Sequence, residues 1–320
     1  MNAQTCERLN AFGRRREPFF FVIDYAQKNV YAKALSLLDE DVLYAFETPL
    51  CSSKKLTCKA VTCKKTYPSP EVYFQKFDAV MEEIKAGNTY MLNLTAQTKV
   101  EVSFDLKSLF YAAHAPFKLY FKDQFVAFSP ERFVKIQANQ IHTYPMKGTI
   151  DASVPNAEAV ILGDEKEKAE HVMVVDLLRN DLSMVAKEVR VEKFRYIEKV
   201  HTSDKTLLQV SSHIQGTLDE QWHERIGDIL STLLPAGSIS GTPKRSSVEI
   251  IERIEGYDRG FYTGIFGIYD GTMLDSAVLI RFLEKTDEGY VFKSGGGITV
   301  LSEAKKEYDE VCDKVYFPVF

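Results

Sequence analysis

The chain has 320 residues, with 40 Lys+Arg against 45 Asp+Glu and a formal net charge of −5. Its 45% hydrophobic and 27% charged residues fit one large or two ordinary globular domains and exclude disorder as the main state. The mildly acidic balance gives no footprint for nucleic acid, and no apolar run nears the roughly 20 residues of a membrane-spanning helix. Met1–Arg16 is polar and lacks a signal-like apolar stretch, so neither a nucleic-acid nor a membrane partner is expected, and the expected location is cytoplasmic.

In chain order, Phe19–Asp24 and Val42–Glu47 read as short strands, with Ala32–Asp39 helical between them. Lys54–Tyr67 is basic and rich in Cys and Thr, then Pro68 and Pro70 break the chain. The spacing therefore predicts a short N-terminal segment, 1–66, packing on a main body, 67–320. The five cysteines, Cys6, Cys51, Cys58, Cys63 and Cys312, lack the paired spacing of a zinc site and read as reduced thiols.

After Pro70, Phe74, Phe77, Val80, Met81 and Ile84 recur with the 3.6 period of an amphipathic helix over Glu71–Ala86. Tyr90–Val102 alternates as a strand, Leu106–Ala113 reads as helix, and four short strands follow between Lys118 and Tyr144. Glu158–Asp181 is predicted as one helix, Glu188–Lys193 and Gln209–Gly216 as strands, and Trp222–Leu234 and Lys244–Ile254 as helices. The last third reads as a hairpin, Phe261–Tyr269 with Leu274–Glu284 about an Asp-Gly turn, then Tyr290–Phe292, the Gly295–Gly297 run and a final helix capped by Ser302. Antiparallel strands interrupted by helices indicate an α+β fold.

Several residues could carry chemistry. Glu167 and Glu170 are spaced i, i+3, as are Glu307 and Glu310, with Lys314 one turn further. Two such pairs suit Mg²⁺, which takes few carboxylates and completes its shell with water; the same spacing describes a solvated helix face with a Glu310–Lys314 pair. The Gly- and Ser-rich run before Lys244 lacks P-loop spacing, but its helix N-terminus and the hydroxyls of Ser240 and Thr242 favour an anion. Gly295–Gly297 frees backbone N–H groups, and Arg281, in an otherwise apolar run, is either a buried ion-pair member or a carboxylate clamp. Lys147 reads as a surface lysine at a turn, or, if partly desolvated, as a nucleophile or base; with Glu131 it could form an acid–nucleophile pair.

Collinear motifs from about Tyr67 to Val315 resemble those of the chorismate-utilising enzymes. They include Asn93-Leu-Thr95, Ser129-Pro-Glu-Arg-Phe133, Pro145-Met-Lys-Gly-Thr149 and Asp164-Glu-Lys-Glu-Lys-Ala-Glu-His171. Further on come Val175-Asp-Leu-Leu-Arg-Asn-Asp-Leu182, Gly237-Ser-Ile-Ser-Gly-Thr-Pro-Lys244, Arg259-Gly-Phe-Tyr-Thr-Gly264, and Gly295-Gly-Gly-Ile298 through Glu307-Tyr-Asp-Glu310. The resemblance implies two antiparallel sheets packed as a sandwich with helices outside. Within the family, Pro-x-Lys-Gly-Thr is similar to the aminodeoxychorismate synthase branch, component I, and implies amination of chorismate at C4, feeding 4-aminobenzoate and folate synthesis. The alternatives are an anthranilate synthase component I, which has Ala in place of Lys147, and a non-catalytic relative that binds chorismate or a partner.

The resemblance further implies Mg²⁺ held by Glu170 and Glu310, with Glu167 and Glu307 one turn away. It makes Glu131 the acid for the departing 4-hydroxyl and Lys147 the nucleophile at C2, and it gives the substrate carboxylates to Arg281, Tyr262, Lys314, Gly296 and Gly297. No Gly-x-Cys-x-Gly nucleophile motif surrounds any cysteine, so ammonia is expected from a separate glutamine amidotransferase subunit. The chain departs from the family pattern at Met91, Gln209 and Thr242, and only about 65 residues precede the matched motifs.

Overall fold

A computed structural model describes residues 1–47, 63–201 and 206–319. Helix α1 (Ala3–Arg14) is capped by Asn2, whose side chain accepts from Thr5 N–H. The strands β1 (Phe19–Ile23), β2 (Val30–Ala34) and β3 (Val42–Ala45) follow, with a single 3₁₀ turn at Leu35–Leu37. The expected helix over Ala32–Asp39 is thus corrected: strand pairing of β2 overrides local propensity, and Asp39 turns back to accept from Tyr31 Oη at 3.0 Å. Cys51 and Cys58 lie outside the described residues, whereas Cys6, Cys63 and Cys312 are free thiols.

Then come β4 (Cys63–Thr66), α2 (Pro70–Lys85), β5 (Met91–Val102), α3 (Leu106–Ala112), β6 (Phe117–Phe121) and β7 (Phe125–Ser129). Next are β8 (Arg132–Gln137), β9 (Gln140–Thr143) and β10 (Met146–Asp151). The helix predicted over Glu158–Asp181 is two, α4 (Ala157–Gly163) and α5 (Glu165–Ser183). Asp164 breaks it, taking φ −72°, ψ 111° and accepting from Glu167 N–H at 2.9 Å, because a cap satisfies the helix-end donors that a continuous helix would not expose.

The strands β11 (Lys187–His201) and β12 (Thr206–Thr217) form a longer hairpin than the alternation suggested. Then follow α6 (Ile226–Leu233), β13 (Gly241–Thr242), α7 (Lys244–Glu255), β14 (Ile265–Tyr269), β15 (Leu274–Val278), β16 (Phe282–Thr286), β17 (Gly289–Thr299) and α8 (Ala304–Asp313). Three further expectations are corrected. Leu274–Glu284 is two strands, broken where Arg281 takes φ +52°. Gly295–Gly297 is not a loop but lies inside β17, paired with Thr95, Leu94 and Asn93 of β5. The N-cap of α8 is Glu303, and the Ser302 hydroxyl instead accepts from Thr299 N–H.

Among the described residues the strands form one sheet of nine and one of eight, and the fold is α+β. The pairings of β5, β12 and β16 with their neighbours are antiparallel. The chain divides into two compact units. The first comprises Met1–Phe19, Arg132–Ser238 and Gly267–Ser276; the second takes the described residues of Phe20–Glu131, Ile239–Phe266 and Ala277–Phe320. Residues 1–66 therefore contribute to each unit.

In the first unit the strand order is β10-β12-β9-β8-β15, with β11 along β12. Helix α5 lies on β10, β11 and β12 and buries Val174, Val175, Leu178 and Leu182. Helix α1 packs on α6 through the Asn10 side chain, which donates to Asp228 and accepts from Gly227 N–H, each within 2.9 Å.

The second unit holds the order β13-β5-β17-β16-β7-β6-β3, with β4 along β5. Helices α2, α7 and α8 cover β5 and β17 through Tyr73, Phe77, Leu92, Leu94, Ile250, Ile251, Ile298 and Val311. Strands β1 and β14, from the nine-stranded sheet, face β3 of the other: Phe20 stacks on Tyr44 at 4.7 Å, and Phe266 meets Phe46 at 5.3 Å. Phe20, Phe46 and Phe266 are buried and, with the half-buried Tyr44, make the sheet-on-sheet core of this unit.

Candidate active site

In the first unit, Lys147 sits where β10 slips out of register with β12: Met146 opposes Ser211 and Thr149 opposes Gln209. This bulge leaves Lys147 and Gly148 opposite a single residue, an arrangement that re-aims a side chain. Gly148 takes φ +89°, and a Cβ there would lie 3.2 Å from Glu167 Oε2, so both conformation and space select glycine. Lys147 Nζ lies 2.7 Å from Glu170 Oε2. Glu170 is 3% exposed, and its Oε1 has no hydrogen bond, only Lys166 Nζ at 3.7 Å.

Beside Glu170, His171 is fully buried, with Nε2 2.6 Å from Ser212 Oγ. Burial, reinforced by Arg195, pulls the His171 pKa down to about 4, while the Lys147 backbone acts in the opposite sense. The ring is therefore neutral at neutral pH.

In the second unit, Glu307 and Glu310 project from α8 toward Gly296 of β17. A Cβ at Gly296 would be 3.5 Å from Glu307 Oε2, 3.9 Å from Glu310 Oε1 and 3.8 Å from Lys314 Nζ. Val311, fully buried among Leu92, Leu94 and Ile298, sets that rotation of α8. Lys314 Nζ bridges Glu310 Oε1 at 2.6 Å and donates to Gly295 O at 2.8 Å. Glu307 is 4% exposed, whereas Glu310 is exposed and makes the Glu310–Lys314 pair that the spacing allowed, so the face is buried at Glu307 and solvated at Glu310.

Strand β5 lies between β13 and β17, which brings Gly241 opposite Leu92 on one side and Gly297 opposite Asn93 on the other. Asn93 N–H donates to Ser240 O at 2.8 Å, and Tyr90 N–H to Thr242 O at 2.8 Å, so Ser240–Thr242 is held as an extra strand. Ser240 is fully buried.

Arg281 accepts from Phe128 N–H through its carbonyl, and its guanidinium lies 5.2 Å from the Tyr316 ring. Its Nε is buried without a hydrogen-bond partner. A half-buried guanidinium whose Nε donor is buried and unmet is suited to take an anionic group. Tyr262 is 2% exposed, and burial holds its hydroxyl well above the usual tyrosine range. Glu131 adjoins this segment, accepting from Val278 N–H through its carbonyl while its own N–H donates to Ser129 Oγ.

Sequence reasoning missed the supports of these groups. Arg259, fully buried, forms a two-point pair with Glu255 and donates to Ile239 O and Asn93 O. Glu255 in turn accepts from both N–H and Oγ1 of Thr95. The i, i+4 spacing of Glu255 and Arg259 was the available signal. The Ser212–His171 contact joins residues 41 apart and left no local signal.

The carboxylates Glu167, Glu170, Glu307 and Glu310 are hard oxygen donors, and the unbonded Glu170 Oε1 is of the kind Mg²⁺ takes. Among the described residues, no three His, Cys, Asp or Glu side chains already form a cluster that could hold a metal.

The family model described as chorismate binding enzyme matches residues 17–319, which includes some fifty residues ahead of Tyr67, where the resemblance described above begins. An uncharacterized PabA-like protein of Pasteurella multocida is 48% identical over 316 residues, covering 98% of each chain. The Escherichia coli aminodeoxychorismate synthase component 1 is 33% identical over 264 residues, covering 77% of this chain and 56% of its own. Among solved structures, MenF, the menaquinone-specific isochorismate synthase of Escherichia coli, shares the fold with a TM-score of 0.69 at 15% identity, covering 96% of this chain and 79% of its own. The chain belongs to the chorismate binding enzyme family.

Proposed function

We propose that this protein is the chorismate-aminating component of an aminodeoxychorismate synthase. The observation that carries the reading is Lys147, an amine set on a bulged strand 2.7 Å from a buried carboxylate, within Pro145-Met-Lys-Gly-Thr149. The relatives named component 1 support it and imply a separate amidotransferase as the source of ammonia.

In this reading Glu131 gives a proton to the 4-hydroxyl of chorismate, which departs as water while the unprotonated Lys147 amine bonds to C2. Ammonia then bonds to C4 and the C2–Lys147 bond breaks, so the net exchange is hydroxide for amine at C4. Arg281, Tyr262, Lys314 and the Gly296–Gly297 backbone hold the two carboxylates, with the hydroxyls of Ser240 and Thr242 assigned to substrate binding from the β13 segment. Glu170 and Glu310, aided by Glu167 and Glu307, would hold Mg²⁺, which supplies positive charge to a dianionic substrate.

The test uses Lys147→Ala. With chorismate, Mg²⁺ and ammonium, the parent chain should form 4-amino-4-deoxychorismate and, when quenched during turnover, show a mass adduct on the Lys147 peptide. The variant should lose both. An unchanged rate in the variant would refute the role given to Lys147. Loss of turnover with EDTA, restored by added Mg²⁺, tests the metal separately.

A further inference from the structure

The groups that hold Lys147 converge on one buried pair. At the backbone, the bulge leaves Lys147 and Gly148 outside the regular ladder, and the nearest anchor upstream is Ser212 N–H donating to Pro145 O at 2.9 Å. At the side chain, the Lys147 amine is gripped by Glu170, whose neighbour in α5 is His171. The Ser212 hydroxyl joins the two, lying 2.6 Å from His171 Nε2 and accepting from Arg195 N–H at 2.9 Å. Ser212 and His171 are both fully buried. One serine thus links β12 to the Pro145–Lys147 backbone through its N–H and to helix α5 through its hydroxyl.

We infer that Ser212 and His171 are positioning residues for Lys147, fixing the bulge backbone and the Glu170 carboxylate to a common point so that the amine is presented in one place. The inference rests on the reading of Lys147 as the nucleophile. Neither residue touches the substrate in this account; both act through the Lys147 backbone and Glu170. A residue in a bulge depends on such ties, and a displacement of about 1 Å at a reacting atom can cost on the order of 100-fold in rate. Binding of chorismate uses other groups, so the loss belongs to turnover and not to affinity.

The experiment compares the full chain with His171→Leu, His171→Gln and Ser212→Ala. Glutamine can place an oxygen near the position of Nε2 and still accept from the Ser212 hydroxyl; leucine cannot. Steady-state kinetics with chorismate, Mg²⁺ and ammonium should show kcat lower by about 10- to 100-fold in His171→Leu and Ser212→Ala. KM for chorismate should stay within about 3-fold, and His171→Gln should regain most of the loss. A second readout is independent of turnover: after reductive ¹³C-methylation of lysines, the Lys147 resonance is identified by its absence in Lys147→Arg. It should be single and narrow in the parent and in His171→Gln, and broadened or split in the other two.

A folded His171→Leu or Ser212→Ala variant with parental kcat and an unchanged Lys147 resonance would overturn the inference. So would a glutamine variant no better than leucine with the resonance unmoved in both. If His171→Leu does not fold, Ser212→Ala decides. If the parent chain makes no 4-amino-4-deoxychorismate, the proposed function fails, while the resonance comparison still decides whether this pair positions Lys147.

Discussion

Arg281 holds its guanidinium against Tyr316 on a backbone at φ +52°, a region that costs a non-glycine residue on the order of 1 kcal/mol. Together with the unmet Nε donor, this points to a side chain placed for a ligand. Arg281→Lys keeps charge but loses the planar fork, so KM for chorismate should rise by about 10-fold or more with little change in melting temperature. Titrating initial rates against chorismate checks this; an unchanged KM would remove Arg281 from the carboxylate site. Gly148 gives a second test. Alanine there meets both a positive φ and Glu167 Oε2 at 3.2 Å, so Gly148→Ala should destabilise the fold by about 1–3 kcal/mol, read as a lower urea midpoint.

At the scale of elements, α8 is the clearest case of packing that serves a site. Its apolar stripe docks Val311 into the core, and the same rotation turns Glu307 and Glu310 toward Gly296. Val311→Ala should cost about 1–3 kcal/mol by denaturant unfolding, from lost burial and the cavity left behind. Much of this was legible in the sequence: the amphipathic period of α2, the alternation of β5 and the i, i+3 carboxylates of α5 and α8. The failures share one physical origin. Asp164 divides a helix, Arg281 divides a strand, and Gly295–Gly297 continues one, because capping or long-range strand pairing decided each. The partners of the site residues were illegible for the same reason, since Ser212 meets His171 and Glu255 meets Thr95 only after distant segments pack.

At the scale of the whole molecule, pH is a lever on stability through groups remote from the chemistry. His223 is buried with Nδ1 2.7 Å from Tyr269 Oη, and burial, then Arg16, pulls its pKa down to about 4 from 6.5. The unfolded chain takes up that proton near pH 6.5, and the folded chain only near pH 4. Its stabilising effect is therefore intact above pH 6.5 and lost as the pH falls toward 4. The loss should be on the order of 2 kcal/mol after allowance for solvent screening. The difference between urea midpoints at pH 7.5 and 5.0 should be smaller in His223→Gln than in the parent, His171 supplying part of what remains; an equal difference in both would contradict the assignment.

The central claim concerns regiochemistry, and it is tested most directly by identifying the product that the purified chain forms from chorismate, Mg²⁺ and ammonium, using liquid chromatography and mass spectrometry. The account predicts 4-amino-4-deoxychorismate, absent from the Lys147→Ala reaction. Fluorescent anthranilate in its place would contradict it, since amination would then occur at C2 despite the lysine.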